Sequence, residues 1–378
     1  MYKRKILAVA VATALGTAAV TVSAQDNPAG TMYGNVEVYG RTYPEFTVLS
    51  GSGATAVGTP GMSTLAATAT GLDLQRRNSV DASNSRLGFR GKEDLGAGVS
   101  AIWQIESTVA IDQGGTTFAT RESFVGLRGG FGTVRLGFMD TVYKELGDPI
   151  RFMGIASGNH VSTSSIISSR MGFGNSSSAS FHLRQPNGLW YQTPSMGGVT
   201  LYSQYSPDTQ ESAQGGVQTN RKFWSNGIRY RSGPLYLALA HEYHRDFFGG
   251  SNSAPAAVRN TADTSAHSRD TSTRATAMVT FGNSRISLDV AQLKYNEYGM
   301  SAAGRFNNYE NKRGAVTWEQ RWGDRWRTAL AYAKAQAGSC SLTGSAVCDT
   351  NGLGGNMIAL GGEYSFSKKT ALFAFIRS

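Results

Sequence analysis

Residues 85–107 read SRLGFRGKEDLGAGVSAIWQIES, and residues 120–141 read TRESFVGLRGGFGTVRLGFMDT. Apolar and polar side chains alternate along these stretches: Val99, Ala101 and Trp103 fall on one side of a strand, and Ser100 and Gln104 fall on the other. A period of two is typical of a β-strand with one apolar and one polar face. These two segments are therefore predicted to form a series of short antiparallel strands.

The same pattern recurs to the end of the chain, with hardly a segment of helical period. Fifteen strands are predicted near residues 31–43, 84–91, 98–109, 120–128, 132–138, 188–194, 199–205, 222–231, 234–245, 272–281, 285–297, 309–320, 325–336, 353–366 and 370–378. The connections between them alternate between a few residues and long loops. This asymmetry predicts an all-β transmembrane antiparallel β-barrel, with short periplasmic turns at one end and long external loops at the other.

The composition agrees with such a barrel and excludes a helical membrane protein. Gly supplies 46 of 378 residues, and the mean hydropathy is −0.26. No stretch beyond the N-terminus approaches the roughly 18 to 20 apolar residues of a membrane-spanning helix. The length of an apolar stretch does not reveal a barrel strand, because only alternate residues of such a strand face lipid. Length alone would suggest two or three domains, but we expect one barrel domain over residues 25–378.

The first 24 residues are predicted to be a secretory signal peptide. Lys3, Arg4 and Lys5 precede an uncharged run of small and apolar residues that ends in VSA at 22–24. A basic start, an apolar middle and a small-x-small end are the parts of such a peptide. The alternative is an uncleaved anchor. Cleavage would remove three positive charges and lower the formal net charge from +10 to +7.

Aromatic residues collect next to the predicted short turns, at Trp318, Trp322, Trp326, Tyr364 and Phe366. In a membrane barrel, rings at this height form a girdle at the headgroups. The alternative is an aromatic core in a water-soluble protein. A soluble barrel of so many strands would have a lumen too wide for side chains to fill.

Two cysteines and five histidines are the remaining candidates for special chemistry. Cys340 and Cys348 lie in a Gly/Ser/Thr-rich segment, and export to an oxidising compartment predicts a local disulfide between them. His241 and His244 would project to opposite faces of a strand, which argues against a shared metal. No metal, cofactor or catalytic residue is expected, and neither is nucleic-acid binding, because the arginines are scattered over alternate strand positions.

The two segments quoted at the outset, in that order, resemble the general diffusion porins of β-proteobacterial outer membranes. Similar stretches are MYGNVEVYGRTY (32–43), NGLWYQTPSMGGVTLYSQYS (187–206), GIRYRSGPLYLALAHEY (227–243) and GGEYSFSKKTALF (361–373). The resemblance covers nearly all of the chain after the signal peptide. It implies a sixteen-stranded, trimeric channel that small hydrophilic solutes cross by diffusion, with the third external loop folded into the pore.

The end of the chain departs from this family pattern. Family members close with a sixteenth strand and a terminal aromatic residue, whereas this chain stops at Ser378 after fifteen predicted strands. The simplest expectation is that about 20 residues are missing, since an odd strand would leave unpaired backbone in the membrane. The alternative is that the N-terminal strand closes the barrel.

Arginines on one inner wall are the candidate site of a pore. Strand phase turns four of them inward: Arg41, Arg86, Arg90 and Arg135. Selectivity in channels comes from lumen-facing charges and bore. The alternative is that some of these arginines only pair with the inward carboxylates of Glu37, Glu45 and Glu106. The resemblance places an arginine cluster on this wall, which favours a selective role for Arg41, Arg86 and Arg135.

The third loop, from about Asp140 to Arg184, is long enough to suggest a function. If it bends into the pore as the resemblance implies, Glu145 and Asp148 would face the arginines and create a transverse field. The loop also carries Arg151, Arg170 and Arg184. We therefore predict a weak to moderate preference for anions.

The sequence favours passive transport of ions and small hydrophilic solutes without cofactor, energy source or enzymatic activity. The expected partners are two further copies of the chain, outer-membrane lipid and lipopolysaccharide. The alternative is a barrel that works as an adhesin or recognition protein through its external loops.

Overall fold

The computed structural model describes the part of the chain that follows the predicted signal peptide, with gaps in several connections. The described residues are 35–51, 74–115, 117–150, 162–168, 177–207, 212–214, 217–219, 221–260, 265–350 and 353–378. The predicted signal peptide at 1–24, Arg151 and Arg170 lie outside these residues. The described elements lie in the compact unit Val36–Ser378, apart from Asn35, which is the first residue of the first strand.

The described residues contain twenty strands, three short α-helices and three single-turn 3-10 helices at Ser177–Ala179, Ala256–Val258 and Thr343–Ser345. The strands are β1 (Asn35–Arg41), β2 (Glu45–Gly51), β3 (Leu74–Asp81), β4 (Arg86–Gly96), β5 (Val99–Thr108), β6 (Ser123–Gly129), β7 (Gly132–Asp140), β8 (Arg184–Gln192), β9 (Val199–Pro207), β10 (Ser212–Gln214), β11 (Val217–Thr219), β12 (Lys222–Ser232), β13 (Leu235–Arg245), β14 (His267–Phe281), β15 (Ser284–Tyr298), β16 (Phe306–Trp322), β17 (Trp326–Ala335), β18 (Ser339–Leu342), β19 (Gly355–Ser365) and β20 (Ala371–Arg377). The helices are α1 (Val142–Leu146), α2 (Ser164–Ile167) and α3 (Gly249–Ser253). None of the helices in the described residues is long and apolar enough to cross a membrane.

One antiparallel sheet of sixteen strands dominates the fold. Its order is β1-β4-β5-β6-β7-β8-β9-β12-β13-β14-β15-β16-β17-β19-β20, and the short β18 pairs with β16 beside this path. The fifteen strands in the path are those predicted from the alternation, which is therefore confirmed. The sequence did not predict β18 or the external hairpins β2–β3 and β10–β11.

Neighbouring strands are joined by short turns at one end of the sheet. Two residues connect β12 to β13 and β14 to β15, and three residues, 323–325, connect β16 to β17. The predicted strands 84–91 and 98–109 leave residues 92–97, KEDLGA, as their connection, which is longer than the turn in the structure. Pairing of Glu93 with Ala101 and of Asp94 with Ser100 extends β4 to Gly96, so only Ala97 and Gly98 form the turn.

The two faces of the sheet differ as the alternation predicts. On β13, Leu235, Leu237 and Leu239 are exposed on the outside, whereas Tyr236 and Ala240 are buried inside. Similar rows of exposed aliphatic side chains follow β14 to β19. An apolar outer band of this kind is the surface that a membrane barrel turns to lipid.

Aromatic rings border this band at the short-turn end. Trp322 and Trp326 are each 55% exposed and Phe366 is 58% exposed. The ring centroids of Trp326 and Tyr364 are 4.8 Å apart, and those of Tyr364 and Phe366 are 5.1 Å apart. The predicted girdle is thus present on the outer surface.

The two ends of the strand order lie next to each other. Tyr43, just after β1, stacks on Phe373 of β20 with ring centroids 4.7 Å apart. A flat sheet would hold these rings at opposite edges, so the contact shows that the sheet curls into a cylinder.

Candidate functional site

The described parts of the connection between β7 and β8, residues 141–150, 162–168 and 177–183, lie in the interior of the barrel. Its first helix, α1, is capped by the Thr141 hydroxyl, which accepts a hydrogen bond from Lys144 N at 3.2 Å. Tyr143 N donates to Ser225 Oγ of β12 at 2.9 Å, and the Tyr143 hydroxyl lies 2.7 Å from Ser272 Oγ of β14. The inward course of this third loop, which the resemblance implied, is therefore present.

Later residues of the third loop contact the same wall. Tyr236 on β13 donates to Leu146 O at 2.6 Å, and Arg313 Nη1 on β16 donates to Ile166 O at 2.8 Å. The described part of the loop thus lies along β12 to β16 and faces, across a cavity, the wall formed by β1 and β4 to β8, which we call the open wall.

A cavity of about 320 Å³ remains between the loop and that open wall. We call it the constriction cavity. The charged residues that line it are Arg41, Arg86, Arg90, Glu106, Arg121, Glu122, Arg135, Asp140, Lys144, Glu145, Asp148 and Arg184. All six residues that the sequence singled out for the pore lie here. The lining has seven cations and five acids, and positive charge is in excess.

Arg135 of β7 lies where the open wall meets the described part of the third loop. Its guanidinium lies 3.6 Å from the centre of the Trp190 ring and 5.0 Å from that of Phe124. Its Nη2 is 3.4 Å from Glu145 Oε2 of the loop, and its Nη1 is 3.8 Å from Glu122 Oε1. The aromatic faces fix the guanidinium plane, so the charge keeps one position in the lumen.

Two arginines share one carboxylate on the open wall, and a third arginine lies near them. Arg121 Nε is 2.5 Å from Glu106 Oε1, and Arg86 Nε is 3.8 Å from Glu106 Oε2. Arg41 donates from Nε to Asn84 O at 3.1 Å. The single carboxylate of Glu106 thus lies beside two guanidinium groups, those of Arg86 and Arg121.

Arg90 forms an ion pair with Glu37, which is the alternative role that the sequence analysis gives for these arginines. Its Nη2 and Nε donate to the two carboxylate oxygens of Glu37 at 2.6 Å and 2.8 Å. This two-pronged pair neutralises Arg90, although the guanidinium still borders the cavity. Arg90 therefore adds less to the positive potential than Arg41 or Arg86.

Asp148 lines the cavity but is bound within the loop. Its Oδ2 accepts hydrogen bonds from Ser162 Oγ at 3.1 Å and Ser164 Oγ at 3.4 Å, and the residue is buried. Glu145 is the loop acid that makes a direct contact with the arginine wall. The sequence treated the two acids as equivalent because it could not place the serines.

Glu122, Arg121 and Lys144 are constriction residues that the sequence analysis missed. Burial raises the pKa of Glu122 to about 7, and the neighbouring Asp140 contributes to that rise. Burial also lowers the pKa of Lys144, which the carboxylate of Asp140 partly offsets. Extending the inward phase of β6 backwards from Phe124 would have pointed to Glu122, two positions earlier.

The other candidates lie away from the cavity. Cys340 and Cys348 form a disulfide with a Cα–Cα distance of 5.8 Å. His241 is exposed on the outside of β13, and His244 is buried on the inside. Within the described ranges, no group of three or more His, Cys, Asp or Glu side chains could hold a metal ion.

Comparison with known proteins assigns a family. A family model described as Gram-negative porin matches residues 8–378. The major outer membrane protein P.IB of Neisseria lactamica is 27% identical over 175 residues, which is 46% of this chain and 46% of that protein. P.IB of Neisseria meningitidis serogroup A is 47% identical over 64 residues, or 17% of this chain and 20% of that protein. The matched part thus covers less than half of either relative.

Solved structures share the fold. An anion-selective porin from Comamonas acidovorans has a TM-score of 0.66 and 19% identity, over 91% of this chain and 88% of that one. The outer membrane protein OmpT of Vibrio cholerae has a TM-score of 0.60 and 14% identity, over 92% of this chain and 88% of that one. At these identities the likeness concerns the fold alone.

Proposed function

We propose that this chain, which belongs to the Gram-negative porin family and is a β-barrel of the outer membrane, forms a water-filled channel with a weak to moderate preference for anions. Ions and small hydrophilic solutes would cross it by passive diffusion. Export through a signal peptide at residues 1–24 and assembly as a homotrimer in contact with lipid and lipopolysaccharide are parts of the same proposal. No enzymatic step is proposed.

The charge balance of the constriction cavity carries this proposal. A passing ion there meets Arg41, Arg86 and Arg121 around the single carboxylate of Glu106. Field lines concentrate in a narrow aqueous passage with low-dielectric walls, so a small excess of charge changes the local concentration of each ion. The solved porin of Comamonas acidovorans is described as anion-selective, but only the charges of this chain support the preference proposed here.

Reversal potentials across a planar bilayer in a potassium chloride gradient test the proposal. The wild-type protein is expected to give stepwise currents and a permeability ratio that favours chloride. The double variant Arg41→Gln/Arg86→Gln should lower that ratio by about twofold or more, because each removed charge changes the ion energy by a sizeable fraction of RT.

Arg325→Gln provides the matched control, since Arg325 lies exposed in the turn between β16 and β17. It should leave the ratio unchanged. A wild-type channel that favours potassium would reject the anion preference, and a folded oligomer without stepwise current would reject the channel. No observation on the described residues favours the adhesin alternative.

A further inference from the structure

The connection between β13 and β14 is a second loop that is largely buried. It is the fifth external connection, and we call its described residues, 246–260 and 265–266, the fifth loop. Phe248 and Ser251, at the start and in the middle of α3, are fully buried, and Ala254 is nearly so. External loops normally lie in water because their backbone polar groups need hydrogen-bond partners. A buried loop must therefore find those partners inside the barrel.

Two carboxylates of the barrel wall supply the partners. Asp270 Oδ2 on β14 accepts a hydrogen bond from Gly249 N at 3.0 Å. Glu297 Oε1 on β15 accepts from Ser251 N at 2.7 Å, and Glu297 Oε2 accepts from Ser251 Oγ at 2.5 Å and from Asn260 Nδ2 at 2.6 Å. The wall thus holds the fifth loop on both sides of α3.

The fifth loop in turn packs against the returning part of the third loop, residues 177–183, which we call the return segment. Asn252 Nδ2 donates a hydrogen bond to Ser178 Oγ at 3.2 Å. A Cβ atom at Gly249 would lie 3.0 Å from Ala179 Cα. The backbones of the two loops are therefore in direct contact.

Aromatic rings join the two loops to the same wall. Phe181 of the return segment and Phe247 of the fifth loop both stack on the imidazole of His244, with ring centroids 4.7 Å away in each case. The return segment continues into Arg184, which lines the constriction cavity and pairs with Asp140 at 2.9 Å. The fifth loop thus restrains the segment that places Arg184 in the cavity.

The two carboxylates beneath the fifth loop are buried without a cation. Asp270 is 0% and Glu297 is 1% exposed, and within the described ranges no Lys, Arg or His nitrogen lies within 4.0 Å of either carboxylate. A buried ionised carboxylate without a cation is costly, because water no longer solvates it. Burial accordingly raises the pKa of Glu297 to about 7, and it raises the pKa of Asp270 well above its usual value.

Other titratable groups are close to Asp270. Those that face it are His244 of β13, Tyr295 and Glu297 of β15, and Asp246 of the fifth loop. His244 Nε2 lies 3.0 Å from Glu242 Oε1 and is paired there. The negative charges of Glu297 and Asp246 add to the cost of ionising Asp270.

Both acids lie at the external mouth, beyond the apolar band. Asp270 is 11 residues from Phe281 at the short-turn end of β14, and Glu297 is 13 residues from Ser284 at that end of β15. With a rise of about 3.4 Å per residue and a tilt of about 40°, these separations are roughly 29 Å and 34 Å along the barrel axis. The apolar band of such barrels is about 25 Å tall. The acids can therefore exchange protons with the external water when the loop opens.

We infer that the fifth loop is a proton-dependent clamp on the constriction: it holds the return segment in place while Asp270 and Glu297 are protonated, and it loosens when they ionise. A protonated Glu297 keeps its contact with Ser251, whose hydroxyl can accept as well as donate a hydrogen bond. The inference concerns the constriction of the channel proposed above and rests on that function only for its effect on current.

The sign of the pH dependence follows from the raised pKa values. The packed loop binds protons more tightly than the released loop, in which the carboxylates would be solvated. Packing is therefore strongest in acid. It weakens as the pH rises from the usual Glu value of 4.5 to about 7, where Glu297 of the packed loop ionises.

Hydrogen–deuterium exchange of the purified full-length oligomer in detergent, read by mass spectrometry at pH 5.5 and pH 8.5, tests the inference. After correction for intrinsic exchange rates, peptides that cover 247–260 and 177–183 should be at least about tenfold better protected at pH 5.5. The variant Asp270→Asn/Glu297→Gln, which is neutral at both pH values, should show no such difference. The matched control Glu310→Gln, on the outer face of β16, should keep the difference of the wild type.

Asn252→Ala separates the two parts of the inference without altering the carboxylates. It removes the side-chain bond to Ser178, so the fifth loop should keep its pH dependence while the return segment loses much of its own. Equal protection of the wild type at both pH values would overturn the proton dependence, and so would a remaining difference in the neutral variant. A fifth loop that responds to pH beside an unresponsive return segment would overturn the clamp. Exchange is measured without current, so these failures are distinct from a failure of the channel.

Discussion

Charged side chains inside the barrel differ in how far neighbouring groups of opposite charge neutralise them. Arg90 donates two hydrogen bonds to the carboxylate of Glu37, whereas Arg86 and Arg121 both lie beside the one carboxylate of Glu106. On the acidic side, Asp140 has short contacts with Lys144 at 2.8 Å and Arg184 at 2.9 Å, whereas Glu122 lies 3.8 Å from Arg135 and accepts a hydrogen bond from Asp140 N at 3.3 Å. The pKa of Glu122 is raised by burial, whereas nearby cations hold the pKa of Asp140 below its usual value, so Glu122 takes up a proton before Asp140 does.

Anion preference should therefore change with pH near neutrality. The pKa of Glu122 is raised to about 7, so Glu122 is neutral below that pH and negative above it. The groups that face Glu122 are Arg135 and Asp140 of β7, Glu145 of α1 and Arg184 of β8. A unit charge about 5 Å from a chloride in water changes its energy by about 0.8 kcal/mol, or roughly fourfold in local concentration before salt screening. Reversal potentials should show a stronger preference for chloride at pH 5.5 than at pH 8.5.

The variant Glu122→Gln isolates this group. It should hold the high preference across the range, whereas Glu93→Gln, at an exposed position of β4, should keep the wild-type pH dependence. An equally large pH effect in Glu122→Gln would show that another group is responsible.

At the scale of the elements, close packing holds the start of the third loop against the barrel wall. Gly147 follows α1 and faces the buried guanidinium of Arg274 on β14, which pairs with Asp289 at 2.7 Å. A Cβ atom at position 147 would lie 1.9 Å from Arg274 Cζ. The absence of a side chain at this position is what lets the loop approach the wall.

Gly147→Ala is expected to displace the start of the loop. The clash should lower the free energy of unfolding by about 1–3 kcal/mol, as overpacking of a filled interior does. Single-channel recordings should show an altered conductance, and thermal denaturation should show a lower midpoint. Gly314→Ala on β16 is the matched control, because its Cβ would meet no atom closer than 3.8 Å. Wild-type conductance in Gly147→Ala would contradict this account of how the loop is positioned.

At the scale of the whole molecule, charge and hydropathy follow from the barrel geometry. Polar residues that would be costly in a soluble core line the lumen, which explains a mean hydropathy of −0.26 in a membrane protein. The positive charges divide between the constriction cavity and the outer face near the long-loop ends of the strands, where Lys222 and Arg269 lie. The positions of these charges are therefore more informative about function than the formal net charge of +10.

The mature protein should begin at Gln25 and run as an oligomer. N-terminal sequencing of protein extracted from outer membranes should read QDNPAG, because the predicted cleavage follows Ala24. Native mass spectrometry should show three copies per particle, and heating should release the monomer. Recovery of chains that still carry Met1 would contradict the signal peptide, and a particle of one chain would contradict the trimer.

The sequence by itself determined the fifteen strands of the main path, their two faces and the family, because alternation and turn composition are local properties that need no knowledge of distant partners. It also turned Arg41, Arg86 and Arg135 inward, since strand phase follows from neighbours in the chain. Tertiary structure decided which of these charges are neutralised, which loop acid reaches Arg135, and that Glu122 joins the cluster. Those outcomes depend on contacts between residues far apart in the chain.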